Sequence, residues 1–133
     1  DIIYYAGGHG TIWDFKDNTD LQELTRKIYE NNGAVSSVCH GAIGLLNVTD
    51  SEGNSIINGK TVTGFSNTEE EAVGLADKVP YLTEDELKNR GAHYEKGDNW
   101  SQFAVIDGHV ITGQNPQSGK AVAEKFLELK NNK

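Results

Sequence analysis

Ile2, Ile3, Tyr4 and Tyr5 form a β-branched and aromatic run, and Gly7-Gly8-His9-Gly10 breaks it, which predicts a strand over residues 2–6 entering a tight loop. Leu21, Leu24 and Ile28 then fall at helical spacing behind Asn18 or Thr19 as cap, with Gly33 ending the helix. Ala34–Val38 is short and mostly apolar, suited to a strand buried on both faces. Beyond Cys39-His40-Gly41, the apolar Ala42, Ile43, Leu45 and Leu46 predict a buried helix. Strand and helix alternating in this rhythm imply right-handed crossovers onto a parallel sheet.

The middle of the chain changes pattern. Residues 55–57 and 60–63 flank Asn58-Gly59, a dipeptide whose turn matches strand twist, and this predicts a hairpin. Thr68 with Glu71, and Thr83 with Glu86, read as capping boxes opening two short helices, the first before Pro80 and the second ended by Gly91. Asp107-Gly108 marks another hairpin, between residues 103–106 and 109–112. Ser118 caps a last amphipathic helix carrying Val122, Phe126 and Leu129. With no internal repeat or linker, residues 1–133 read as one α/β sandwich.

Composition narrows the function classes. A net charge of −8 disfavours nucleic acid or an anionic membrane surface as partner. No apolar run reaches membrane-spanning length. A single cysteine forms no internal disulfide, so the reading is a reducing, cytoplasmic setting. The sequence has no methionine and begins inside a strand, which reads as a piece of a longer protein.

The one cysteine lies in AVSSVCHGA, between a strand and a glycine. A lone cysteine after an apolar strand is ordinarily a small buried hydrophobe. Three features favour a nucleophile instead. Cys39 ends a parallel strand, the sheet edge where ligands collect. It begins a predicted helix, whose N–H groups and dipole favour thiolate over thiol. Gly41 and Ala42 are small, as a sharp strand-to-helix elbow requires. These features predict a perturbed thiol of low pKa at Cys39.

The stretches YYAGGHGTIWDF, AVSSVCHGAIGLL, GKTVTGFSNTEEEAVG, ELKNRGAHYEKGDNW and DGHVITGQNPQS resemble the ThiJ/PfpI superfamily, relatives of class I glutamine amidotransferases. Within it the chain looks most like the heat-shock chaperones and glutathione-independent glyoxalases (glyoxalase III). The resemblance implies a flavodoxin-like α/β/α sandwich with a mostly parallel sheet. It implies Cys39 as nucleophile, His40 as its histidine, and Glu70 as the acid, where the residues alone leave Glu69, Glu70 and Glu71 open. It implies an oxyanion hole from the Gly8 and His40 N–H groups, and neither cofactor nor metal.

Family members carry roughly another half-domain before the Gly-Gly-His-Gly strand, including a glutamate that acts as general base. This sequence lacks that region and reads as the C-terminal part of the family domain. Turnover by these 133 residues alone is therefore expected to be lost or much reduced, and pairing with the N-terminal segment or a second copy is expected at the open sheet edge. The expected activity is conversion of methylglyoxal-like 2-oxoaldehydes to 2-hydroxy acids through a cysteine hemithioacetal, with protein deglycation by the same adduct. A stress chaperone using Trp13, Phe15 and Trp100 is the alternative from another class, and a cysteine peptidase a third. A metal module built on His9, His40, His93, His109 and Cys39 has no helical or finger-like ligand spacing.

Overall fold

In the computed structural model, which describes residues 1–131, β1 (Ile2–Tyr5), α1 (Thr11–Asp14), α2 (Thr19–Glu30) and β2 (Ala34–Val38) come first. A 3-10 helix (Cys39–Leu45), β3 (Thr61–Val62), α3 (Asn67–Ala72), α4 (Thr83–Asn89) and β4 (His93–Tyr94) follow. The chain closes with β5 (Ala104–Asp107), β6 (Val110–Gly113), a 3-10 turn (Pro116–Ser118) and α5 (Gly119–Asn131). The main sheet has four strands in the order β1-β2-β6-β5. β1 and β6 both run parallel to β2, and only β5 is antiparallel.

Alternation along the strands divides the core into two layers. Val35 and Val110, paired in register, join Tyr5, Ile43, Leu45, Leu46, Ile57 and Leu87 on one side, where α2 contributes Leu21 and Tyr29. Ala34 and Ile111 face the other side and meet Val122, Phe126 and Leu129 of α5. The result is an α/β/α sandwich of the expected class. β2 is buried along its whole length, as its apolar composition requires. Ile2 and Tyr4 of β1 are 43% and 46% exposed, on a strand bonded to β2 on one edge only. No helix among the described residues is long and apolar enough to cross a membrane.

Local signals were right about turns and less right about what the turns join. Asn58-Gly59 does turn, with Gly59 at φ +76° and the Lys60 N–H bonded to the Ile57 carbonyl at 3.0 Å. No hairpin follows, because Ile56 and Ile57 sink into the core and β3 pairs in parallel with β4. α2 ends in a double bond pattern, Asn32 N–H to Tyr29 and Gly33 N–H to Ile28, with Asn32 rather than Gly33 in the left-handed region at φ +64°. The capping box on α3 is Ser66 with Glu69, not Thr68 with Glu71. α4 has no side-chain cap, and the Thr83 hydroxyl is buried without a partner. Ser118 spends its hydroxyl on Asn115 and the Phe103 N–H instead of capping α5.

Candidate active site

Cys39 follows directly on β2 and holds φ at +59°, the left-handed region that a non-glycine residue occupies only under constraint. The constraint is packing against the loop after β1. A Cβ on Gly41 would strike the Tyr5 carbonyl and lie 2.7 Å from that of Ala6, so only glycine lets the elbow seat there. A Cβ on Gly7 would lie 2.9 Å from the Cys39 Cβ. Beyond the elbow, Ala42, Ile43, Leu45 and Leu46 are buried as their composition predicts, but the segment is 3-10 rather than α.

The sulfur faces a buried relay. Cys39 Sγ is 3.3 Å from His40 Nδ1, and His40 Nε2 is 2.7 Å from Glu70 Oε2. His40 and Glu70 are both almost wholly buried. The main chain of Gly8 and of His40 lies close enough to the sulfur to favour its ionised form. Gly8 holds φ at +118°, a backbone conformation that suits glycine.

Glu70 arrives through α3. Ser66 accepts a bond from the Glu69 N–H while Glu69 bonds back to the Ser66 N–H, which fixes the first turn and aims the next residue at His40. Successive helical residues point about 100° apart, so the three glutamates divide. Glu69 turns to Gln114, Asn115 and Trp100, Glu70 to the elbow, and Glu71 to solvent.

The electrostatics reverse one expectation. Burial pushes the Cys39 thiol up to about 11; the His40 and Gly8 N–H groups pull it down, but nearby Glu69 and Glu70 add to the rise. Burial also holds His40 below its ordinary value, partly offset by Glu70. The resting pair is therefore a neutral thiol beside a neutral imidazole, not a thiolate at a helix terminus. His40 Nδ1 accepts from the thiol, and its Nε2–H donates to Glu70.

His9, Phe65, Glu69 and Trp100 complete the site. His9 Nε2 lies 2.6 Å from the second oxygen of Glu70, and its ring centroid is 4.0 Å from that of His40. Phe65 stacks on His40 at 4.3 Å, with Trp100 5.7 Å beyond. The Gly-Gly-His-Gly motif was a sequence signal for His9; Trp100 stood out only as an aromatic of the chaperone alternative, and Phe65 offered no signal of its own. His9, His40 and Glu70 are also the one group of three such donors, among the described residues, with atoms within 4.8 Å of one another. Both carboxylate oxygens and both Nε2 atoms are engaged in the two imidazole–carboxylate bonds, which an ion would have to break. His93 and His109 lie elsewhere, on β4 and against the Asn32 carbonyl.

The sequence pattern of the DJ-1/PfpI family matches residues 1–129. The glutathione-independent glyoxalase HSP31 of Saccharomyces cerevisiae is 36% identical over 137 residues, covering 98% of this chain and 58% of that protein. The crystal structure of glyoxalase III from Candida albicans superposes with a TM-score of 0.90 at 37% identity, over 96% of this chain and 56% of that one. That of the Rapid Encystment Protein of Francisella tularensis gives 0.92 at 46% identity, over 94% and 56%. The chain thus spans a little over half the length of the proteins it matches.

Proposed function

The chain belongs to the DJ-1/PfpI family, and on that premise we propose that it acts as a glutathione-independent glyoxalase, turning methylglyoxal-like 2-oxoaldehydes into 2-hydroxy acids. The observation that carries this reading is the line from Cys39 Sγ through His40 to Glu70, with links of 3.3 and 2.7 Å. Its support from outside the chain is the naming of relatives at 36–37% identity as glyoxalases.

The sulfur attacks the aldehyde carbon, forming the S–C bond while the carbonyl π pair moves to oxygen. The thiol proton passes to His40 Nδ1 in the same step, which suits a thiol whose pKa is about 11 and an imidazole held neutral by burial. Glu70 stabilises the imidazolium that forms. The Gly8 and His40 N–H groups, whose main chain lies near the sulfur, receive the developing oxyanion in this reading. The hemithioacetal then loses its C1 proton and gains one at C2, so C1 is oxidised as C2 is reduced. By resemblance the base for that proton is a glutamate from the stretch that precedes the first strand in relatives. Water cleaves the resulting thioester, releasing the 2-hydroxy acid and the thiol. No external oxidant or reductant enters the balance.

D-lactate formation from methylglyoxal without glutathione tests the reading, in the full-length parent protein, with whatever precedes the first strand, and in its Cys39→Ser variant. Turnover by the parent and a loss of about a thousandfold or more in the variant are expected, within the range by which nucleophile removal lowers rates. Equal rates, or lactate formed only when glutathione is added, would overturn it.

A further inference from the structure

Glu70 is held at both ends. His40 Nε2 takes one oxygen at 2.7 Å and His9 Nε2 takes the other at 2.6 Å, so one carboxylate is clasped between two imidazoles. The two histidines differ in exposure. His40 is 1% exposed and Glu70 2%, whereas His9 is 34% exposed and is the member of the cluster that meets solvent. His9 is also firmly seated. The Ile12 N–H bonds to its carbonyl at 3.1 Å, and Thr11 bonds the Gly8 carbonyl through both N–H and hydroxyl.

We propose that His9 is a positioning residue of the Cys39 site: it fixes Glu70 against His40, and its own protonation disables His40 as acceptor of the thiol proton. The inference rests on the reading of Cys39, His40 and Glu70 as the reacting line. When Cys39 gives up its proton, His40 becomes a cation and needs the Glu70 charge to itself. A neutral His9 donates its Nε2–H to that carboxylate and orders it. A cationic His9 would neutralise Glu70 and place a like charge 4.0 Å, ring to ring, from the imidazolium that must form. The titratable groups facing His9 are Glu70 from α3 and His40 from the elbow, with Cys39 behind His40 and Glu69 beside Glu70. The remaining aromatic neighbour, Phe65, carries no charge. Burial already disfavours the His40 cation, so the site has little tolerance for a second positive charge. His9 is the member of the cluster that solvent reaches, so a proton from outside meets the buried pair through it.

Two substitutions separate orientation from charge. His9→Phe keeps a ring and removes the bond to Glu70; His9→Gln offers an amide N–H for that bond and does not titrate. Both kcat/KM for methylglyoxal and the rate of Cys39 alkylation by iodoacetamide are followed against pH, with the thermal midpoint of each variant recorded. His9→Phe should slow both by about tenfold or more across the range, and His9→Gln should recover part of that loss. Relative to its own maximum, His9→Gln should retain activity to lower pH than the parent, its acid limb moving down by about half a unit or more. An acid limb unmoved in His9→Gln would overturn the proposal, as would a His9→Phe variant that is folded and as fast as the parent. Alkylation needs no aldehyde chemistry. A protein that makes no lactate yet shows the shifted alkylation profile therefore loses the glyoxalase reading and keeps the role of His9.

Discussion

Replacing Glu69 by glutamine swaps one carboxylate oxygen for an NH2 group where every neighbour is a donor. Oε1 accepts from the Ser66 N–H, the Ser66 hydroxyl and Gln114 Nε2 at 3.1, 2.9 and 3.0 Å. Oε2 accepts from the Trp100 N–H and Asn115 Nδ2, both at 2.9 Å. The least harmful placement keeps oxygen on the Oε1 side and opposes the new NH2 to Trp100 and Asn115. The buried Asn115 donor and the part-buried Trp100 N–H each lose this acceptor at about 1–3 kcal/mol, so Glu69→Gln should cost about 2–6 kcal/mol. That is a large part of the 5–15 kcal/mol by which a domain of this kind ordinarily folds.

The pH dependence follows from the same bonds. Burial pushes the Glu69 carboxyl up, and the bonds from Trp100, Gln114, Asn115 and Ser66 more than offset it, holding it below the ordinary 4.5. A depressed folded-state pKa contributes stability above 4.5 that is lost as pH falls through the lower folded value. The gap between parent and variant should therefore be full at pH 7 and narrow in acid. Urea unfolding at several pH values, with the m-value checked for constancy, measures it. A loss at pH 7 under about 1 kcal/mol, or a gap that does not change with pH, would refute the account of Glu69 as a saturated acceptor.

Two further outcomes are expected. The main rise in alkylation of Cys39 should come near pH 11, where its pKa is pushed, instead of near the free-cysteine value of about 8.5; a rise at 8.5 would mean that the thiol is better solvated than its burial implies. Gly41→Ala should destabilise the protein by about 1–3 kcal/mol and depress lactate formation, since the added methyl meets the Tyr5 and Ala6 carbonyls; an unchanged urea midpoint would show that the elbow has room to give.

What the sequence made legible was local. The apolar run of Ala34–Val38, the glycine after Cys39-His40 and the Asp107-Gly108 turn each act over a few residues, and strand, elbow and hairpin follow from them. The pairing of β3 with β4 was hidden, because the partner of Thr61 is His93 and nothing nearby announces it. The site divides along the same line. Cys39 and its elbow could be read from neighbours, whereas choosing Glu70 among three glutamates required the resemblance. His9 joins Glu70 across 61 positions, beyond any local pattern. The direction of the Cys39 shift was misjudged for a related reason: a helix terminus is visible in sequence, but the depth at which the sulfur is buried is not.

Those same separations govern how the protein comes into being. The bonds of the site span 30 and 61 positions, and contacts so far apart along the chain close late and slowly in folding. Until β1 lies against β2 the chain has no pocket for the sulfur, and Cys39 is an ordinary exposed thiol with a few per cent thiolate at neutral pH. Once folded, the same atom is 4% exposed and its ionisation is displaced to about pH 11. Vulnerability to oxidants therefore belongs to the nascent and refolding chain more than to the finished protein. Peroxide present during refolding should lower the yield of active protein far more than the same dose added afterwards.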